Sequence, residues 1–158
     1  MIIIIRGIPG SGKSYFAKRV EEKLGSNILD IVSADHYWYD SDGNYNFDGS
    51  KLWLAHKKCQ DKFLKSLQKQ TPFIIVDNTN IQLQNFHFYL KHAQQHNQTV
   101  MLCHVQYNIS PNHCAIVNQH NVPIASIVKM NNNYEPAQAD ILVNSATEKS
   151  VLDLIAYS

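Results

Sequence analysis

Arginine is scarce in this 158-residue chain, where only Arg6 and Arg19 occur among the 14 basic residues. Arginine is the side chain best suited to bidentate contacts with phosphate or carboxylate groups, so the chain can form few of them. The 13 acidic residues leave a formal net charge of +1. Proteins that bind polyanions over their whole surface carry a large basic surplus, which is lacking here. Any contact with nucleic acid is therefore expected to be local.

Cysteine is also rare, and the sequence has no long apolar run. The three cysteines, Cys59, Cys103 and Cys114, form no C-x-x-C pair, which argues against a disulfide framework or a zinc ribbon. The apolar run at residues 2 to 5 is too short for a signal peptide or a membrane span. The eight histidines show no metal-binding spacing. These features predict a cytoplasmic protein with reduced thiols and no membrane partner.

The arrangement of apolar residues predicts the fold. Hydrophobic residues make up 44% of the chain, enough for one packed core, and short apolar runs alternate with amphipathic segments. The predicted strands are 2 to 5, 28 to 32, 73 to 76, 99 to 105 and 140 to 143. The predicted helices are 13 to 24, 50 to 69, 82 to 96, 112 to 119, 123 to 131 and 147 to 156. This alternation predicts a single α/β domain over residues 1–158, a three-layer sandwich with a five-stranded, mainly parallel sheet, and we favour a monomer.

The strongest motif is Gly7-Ile8-Pro9-Gly10-Ser11-Gly12-Lys13-Ser14, a full match to G-x-x-x-x-G-K-S between a predicted strand and a predicted helix. Such a loop presents backbone amides to phosphate at a helix amino terminus, whose partial positive charge adds to the attraction. We expect Lys13 to reach the β- and γ-phosphates and the Ser14 hydroxyl to ligate Mg²⁺. The expected ATP-binding residues are Gly7, Pro9, Gly10, Ser11, Gly12, Lys13, Ser14 and Tyr15. The reaction stays open, because kinases, ATPases and GTPases share this loop.

Two acidic residues follow predicted strands, at the sheet edge where α/β proteins bind ligands. Asp77 is a candidate to hold Mg²⁺ directly or through water, or else a capping or turn residue. Asp35 is a candidate general base that accepts the proton of an acceptor hydroxyl, or else a solvated loop residue. The polar residues 78 to 80 could orient waters or the acceptor, or form Asx turns.

Together, these residues resemble the polynucleotide-kinase-like P-loop kinases, including their ATP-binding relatives of the AAA type in animal proteins that bind ubiquitin ligases. The resemblance covers roughly residues 1 to 136 and has four parts, which are residues 6 to 14, 33 to 35, 75 to 80 and 120 to 135. It implies a P-loop kinase-like fold with a small helical lid. It also implies Asp35 as general base, Mg²⁺ at Ser14 and Asp77, and transfer of the ATP γ-phosphate to a hydroxyl, commonly a polynucleotide 5′ end.

The chain departs from this family at two positions that contact phosphate groups. The family usually places lid arginines just before residue 118, whereas this chain has Ile116 and Val117. Loss of such a cation typically lowers the rate by about 10³ or more, although Lys129, His113 or His120 could substitute in part. Trp38 stands where the polynucleotide kinase holds the substrate phosphate with an arginine. A slow kinase, an altered lid register and a domain with weakened catalysis are all compatible with these changes.

Two further surface features have two interpretations each. The helix at 50 to 69 carries a lysine stripe that could follow a phosphate backbone or simply face solvent. The aromatic residues that follow Asp35 could stack on the acceptor or cover the sheet.

The sequence thus supports two functions. The first is an ATP-dependent kinase that phosphorylates a hydroxyl on a nucleic acid or small molecule. The alternative is a nucleotide-binding module, or a degenerate kinase or ATPase, that acts through a protein partner.

Overall fold

The computed structural model describes residues 1–108 and 110–158. In this part of the chain, five strands form one sheet in the order β2-β3-β1-β4-β5, and all four neighbouring pairs are parallel. The strands are β1 (Ile2–Arg6), β2 (Leu29–Val32), β3 (Phe73–Asp77), β4 (Val100–Val105) and β5 (Asp140–Val143). The helices are α1 (Lys13–Leu24), α2 (Leu52–Gln68), α3 (Leu83–Gln95), α4 (Pro111–Val117), α5 (Ile124–Asn132) and α6 (Glu148–Ala156). The predicted α/β sandwich is confirmed, with a sheet that is wholly parallel.

The burial of the central strand β1 shows that the sheet is the middle of three layers. Its isoleucines, Ile2 to Ile5, are fully buried because helices cover both faces of the sheet. Alternate residues of a strand point to opposite faces, so Ile2 and Ile4 pack with residues of α2 and α3. Ile3 and Ile5 pack with residues of α1 and α6. One apolar run therefore supplies the middle of two cores.

Element boundaries differ from the sequence prediction by at most two residues, and those of α1 and β5 match it. The predicted strand 28 to 32 begins at Leu29, because residues 26 to 28 form a short 3₁₀ turn. The predicted helix 112 to 119 ends at Val117, since Asn118 has an extended backbone and its side-chain oxygen accepts a hydrogen bond from the Val122 amide at 2.7 Å. Both differences lie at the end of a strand or helix, where local hydrogen bonds compete with those of the regular secondary structure.

Arg6, the last residue of β1, has no exposed surface. Its guanidinium donates hydrogen bonds to the backbone oxygens of Asn80 at 3.0 Å and Glu135 at 2.6 Å, and it pairs with the Asp140 carboxylate. The rings of Phe86 and Tyr134 lie over it at 4.6 and 4.8 Å. These contacts join the central strand to β5 and to the segment after α5, directly beside the glycine-rich loop.

The sheet order brings the functional segments to one edge. The glycine-rich loop follows β1, Asp77 ends the neighbouring strand β3, and Asp35 follows β2 on the far side of β3. In the described residues, no helix is both long and apolar enough to cross a membrane.

Candidate functional site

The glycine-rich loop is closely packed against the residues that follow β4. Gly10 and Gly12 have φ angles of 79° and 100°, which side-chain-bearing residues rarely adopt. A Cβ atom on Gly10 would lie 2.2 Å from the Cys114 backbone oxygen, and one on Gly12 would lie 2.5 Å from the Tyr107 ring. Only glycine fits at these two positions, because both the backbone angle and the neighbours exclude a side chain.

Lys13 is turned into this loop. Its Nζ atom donates a hydrogen bond to the Ile8 backbone oxygen at 3.0 Å. Burial lowers the pKa of Lys13, while the carboxylates of Asp77 and Asp35 oppose that change. The ammonium group is therefore held in the concavity where the sequence predicts phosphate, with both predicted carboxylates close enough to act on it.

Ser14, in the first turn of α1, lies beside Asp77, the last residue of β3. The Ser14 hydroxyl donates a hydrogen bond to Asp77 Oδ2 at 3.0 Å. Asp77 is buried, and burial raises its pKa against the opposing effect of Lys13. Its Oδ1 atom is buried without a hydrogen-bond partner among the residues that the structure describes. Asp77 caps no helix here, because α3 begins with Gln82 as its capping residue.

This donor set fits Mg²⁺. A hydroxyl and a carboxylate are the hard oxygen ligands that Mg²⁺ prefers, and the ion commonly keeps only one or two protein ligands beside waters and substrate phosphates. An unpartnered carboxylate oxygen at Asp77 is free to accept a hydrogen bond from a metal-bound water. In residues 1–108 and 110–158, no group of three or more His, Cys, Asp or Glu residues could hold a metal. A resident cage of protein ligands is therefore not found in the described part of the chain.

Asp35 lies at the start of a short 3₁₀ segment, with its side chain 49% exposed. The backbone just before it is held by a buried bridge, because the Ala34 amide donates to Asn78 Oδ1 at 2.8 Å. Asn78 Nδ2 in turn lies 3.4 Å from the Tyr89 hydroxyl and 3.5 Å from Cys59 Sγ. Asn78 thus fixes the spacing between the two acidic strand ends.

Residues 78 to 80 therefore serve as a scaffold, a role that neither sequence interpretation described. The Thr79 backbone oxygen accepts a hydrogen bond from the Gly7 amide at 2.9 Å. Asn80 has a φ of 46° and donates from Nδ2 to the Ile5 backbone oxygen at 2.8 Å. Both contacts connect the end of β3 to the start of the glycine-rich loop, and only the pairing of β1 with β3 makes them possible.

The segment between β4 and β5 forms the predicted helical lid. Cys114 of α4 and Ile127 of α5 pack with Ile8 in one small core, so both helices rest on the glycine-rich loop. Ile116 and Val117 are 81% and 42% exposed. The positions of the family's lid arginines are thus apolar and largely open to solvent.

Of the three residues proposed to replace those arginines, His120 makes a contact that the sequence did not predict. Its Nε2 atom lies 3.6 Å from Asp35 Oδ2. His113 and Lys129 are exposed. His120 thus faces the predicted base. The sequence did indicate His120 as a functional residue, since it belongs to the fourth part of the resemblance. The sequence did not indicate that its partner is Asp35.

The aromatic residues divide between the two interpretations. Trp38 is buried in the core, with its ring 5.0 Å from that of Phe47. Trp53 is 67% exposed and stands near the start of α2. Tyr15 is also exposed, and its ring packs edge-on against Tyr107 at 5.1 Å.

The lysine stripe on α2 is partly engaged within the chain. Lys62 donates to the Ile31 backbone oxygen at 2.7 Å, and Lys58 lies 4.7 Å from the centre of the Tyr37 ring. A stripe whose members bind their own protein is less available to a phosphate backbone, and this favours the solvated-face interpretation.

The comparison with known families identifies the chain. Residues 2–136 match the family described as AAA domain. This chain belongs to that family. Human NEDD4-binding protein 2 is 31% identical over 163 residues, which is 100% of this chain but only 9% of the human protein. The activity and partners of that whole protein therefore cannot be assigned to this chain by similarity.

Two solved structures show the same fold. Kti12 of Chaetomium thermophilum, in complex with ADP-AlF3, has a TM-score of 0.66 and 14% identity over 98% of this chain and 97% of that one. APS kinase CysC of Mycobacterium tuberculosis, in complex with AMPPNP and APS, has a TM-score of 0.65 and 14% identity over 98% of this chain and 96% of that one. The predicted resemblance to P-loop kinases is confirmed at the level of family and fold.

Proposed function

We propose that this chain is an ATP- and Mg²⁺-dependent phosphotransferase that moves the γ-phosphate to a hydroxyl acceptor. The observation that carries the proposal is the hydrogen bond of 3.0 Å from the Ser14 hydroxyl to Asp77 Oδ2, at the loop into which Lys13 is turned. Asn78 holds the segment of Asp35 to the same strand end. The reaction requires a group that binds the phosphates, a group that holds the metal and a general base. The acceptor is a nucleic acid, such as a polynucleotide 5′-hydroxyl, or a small molecule.

In the proposed mechanism, the amides of the loop and Lys13 bind the β- and γ-phosphates. Ser14 and Asp77 would hold Mg²⁺, which would supply positive charge to offset the negative charge of the phosphates. Asp35 accepts the proton of the acceptor hydroxyl as its oxygen bonds to the γ-phosphorus. The bond between the γ-phosphorus and the bridging oxygen breaks, and ADP leaves with that electron pair.

A second function is favoured by the lid. Ile116 and Val117 are exposed and cannot stabilise charge on a transferring phosphoryl group. A chain with this lid could bind nucleotide and act through a protein partner, and the name of the human relative denotes a protein that binds NEDD4. We also propose that the chain forms a single domain, is a monomer and is cytoplasmic.

Phosphoryl transfer from γ-labelled ATP separates the two functions. The acceptors are 5′-hydroxyl oligonucleotides, nucleosides and sugars, and the variants are Asp35→Asn and, as a control, Asp61→Asn on the exposed face of α2. The kinase predicts transfer to at least one acceptor that is abolished in Asp35→Asn, retained in Asp61→Asn, and accompanied by unchanged ATP affinity in both. ATP binding without transfer to any acceptor would favour the nucleotide-binding module.

Lys13→Ala tests the pocket under either function. Removing the ammonium group from the loop is expected to weaken ATP binding by about tenfold or more, which is at least about 1.4 kcal/mol. Lys18→Ala, at an exposed position of α1, is the matched control and is expected to bind ATP as the wild type does. Equal affinities for Lys13→Ala and the wild type, by isothermal titration calorimetry, would contradict the assigned pocket.

A further inference from the structure

We propose that His120 is a positioning residue that holds the Asp35 carboxylate and couples it to the lid. The inference rests on the proposed function, because it gives Asp35 the role of general base. His120 lies in the connection between α4 and α5, far from Asp35 along the chain, and the fold brings the two side chains together.

The imidazole of His120 and the carboxylate of Asp35 lie side by side. His120 Nε2 lies 3.6 Å from Asp35 Oδ2, and the histidine side chain is 23% exposed. Among the described residues, this is the only side chain within ion-pair distance of the Asp35 carboxylate. The carboxylate would otherwise be free to rotate, since it is half-exposed.

Tyr45 holds the imidazole from the other side. The two rings are stacked, with their centres 4.5 Å apart and an angle of 29° between their planes. Tyr45 belongs to the segment after Asp35, where it forms a bridge with Tyr39. Burial raises the pKa of Tyr45 to about 12, so the phenol stays neutral and serves as a flat support. His120 therefore contacts the Asp35 segment at two separate points.

Hydrogen bonds within the lid hold the backbone on both sides of His120. The Asn118 side chain accepts a hydrogen bond from the Val122 amide and donates one to the Ala115 backbone oxygen, both at 2.7 Å. Asn121 has a φ of 52°, which completes a tight turn. Since the lid helices rest on Ile8 of the glycine-rich loop, a displacement of the lid would move His120 relative to Asp35.

One nitrogen of the imidazole is unsatisfied. His120 Nδ1 is buried and has no hydrogen-bond partner among the described residues. Leaving a buried polar atom without a partner is unfavourable, and such atoms cluster at functional sites. A purely structural histidine would be expected to satisfy both nitrogens. The other nitrogen, Nε2, is directed at the proposed base.

The proposal predicts a loss of turnover without a loss of nucleotide affinity. A small displacement of a catalytic group can lower the rate by about 10²-fold, so His120→Ala is expected to reduce kcat by about 10- to 100-fold. The KM for ATP should change less than about threefold, because Asp35 and Tyr45, the two residues that His120 contacts above, are not assigned to ATP. His120→Gln, whose amide can reach Asp35, is expected to recover part of the rate. His87→Ala, at an exposed position of α3, is the matched control.

The second measurement does not depend on activity. Hydrogen exchange of the backbone amides in residues 118 to 122, between α4 and α5, reports whether Asp35 and His120 hold this part of the lid. Asp35→Ala and His120→Ala should both accelerate this exchange, and the double variant should exchange no faster than either single variant. Additive effects would show that the two side chains act independently and would overturn the proposal.

The outcomes separate the two proposals. A wild-type protein that transfers phosphate, together with a His120→Ala variant of equal kcat, overturns the role of His120 and leaves the proposed function intact. A lower melting temperature in His120→Ala, with a loss of kcat that the loss of folded protein fully explains and no recovery in His120→Gln, would indicate a structural role. That result would also overturn the proposal. A wild-type protein that transfers phosphate to no acceptor overturns the proposed function, and with it any positioning of a base.

Discussion

The hydroxyl of Ser14 donates a hydrogen bond to the carboxylate of Asp77 at 3.0 Å, which joins the first turn of α1 to the end of β3. The two residues lie far apart in the sequence, and neighbouring strands of a parallel sheet bring them together. One oxygen of Asp77 is satisfied by this bond, while the other is buried without a partner in the described residues. This arrangement leaves a carboxylate where the proposed mechanism needs a group that holds Mg²⁺ directly or through water.

Asp77→Asn is expected to weaken magnesium-dependent binding while leaving the apoprotein at least as stable. Burial raises the pKa of Asp77 above its unfolded value of about 3.9. The folded state then holds the proton more tightly, so this contribution to stability is present at low pH and is lost as pH rises through the folded pKa. Asparagine does not ionise, and the variant should melt at or above the wild-type temperature at neutral pH.

Calorimetry and thermal melting between about pH 4 and pH 8 would check this. The affinity for ATP in the presence of Mg²⁺ should fall by about 10- to 100-fold in Asp77→Asn, the usual effect of removing an outer-shell partner of a metal. The affinity measured with EDTA present should change little. A variant that melts below the wild type at neutral pH would show that the buried charge is stabilising, contrary to the argument.

Gly10→Ala is expected to disrupt the glycine-rich loop, whereas Gly43→Ala is the matched control. Both glycines have positive φ, but a Cβ on Gly10 would meet the Cys114 backbone and one on Gly43 would meet nothing within 4 Å. The backbone strain of about 1–3 kcal/mol is common to both substitutions. Only Gly10→Ala must also move the lid helix or the loop. In urea unfolding, Gly10→Ala should therefore be the less stable of the two, and it alone should lose ATP affinity.

Arg6→Lys and Arg19→Lys compare the chain's two arginines. Arg6 is fully buried among backbone oxygens, Asp140 and two rings, and a lysine cannot reproduce that planar set of donors. Breaking a buried pair costs about 3–5 kcal/mol, so Arg6→Lys should lower the unfolding midpoint in urea markedly. Arg19 is half-exposed, although it contacts Glu22 and Glu148. Arg19→Lys should unfold close to the wild type, and similar midpoints for both variants would contradict the assigned role of Arg6.

Asn78→Ala is expected to affect both stability and turnover. It leaves the buried Ala34 amide without its acceptor, and an unsatisfied buried donor costs about 1–3 kcal/mol. It also releases the backbone before Asp35, so the transfer rate should fall more than the loss of folded protein explains. Tyr89→Phe removes only a hydroxyl near Asn78 and is expected to have a smaller effect on the rate. A rate equal to wild type in folded Asn78→Ala would exclude a role in placing Asp35.

The sequence alone determined the features that depend on local pattern. The isoleucine run of β1 indicated a strand buried on both faces, and the glycine spacing of residues 7 to 12 indicated a phosphate loop. Both are local, because side-chain alternation and backbone freedom act within a few residues. Asp77 and Asp35 could be selected for the same reason, since strand ends in α/β proteins point to one edge.

Only the tertiary structure decided which residues meet across the fold. Trp38 and Trp53 are both tryptophans in the aromatic-rich stretch that follows Asp35, yet the fold buries the first and leaves the second exposed. Asn78 reaches Ala34 because the strand order places β3 beside β2, and His120 reaches Asp35 because the connection between α4 and α5 lies beside the segment after β2. Residue type and spacing do not indicate which residues distant in the sequence will contact each other. Such pairing is set by the packing of whole elements, whose free energy is shared among many contacts.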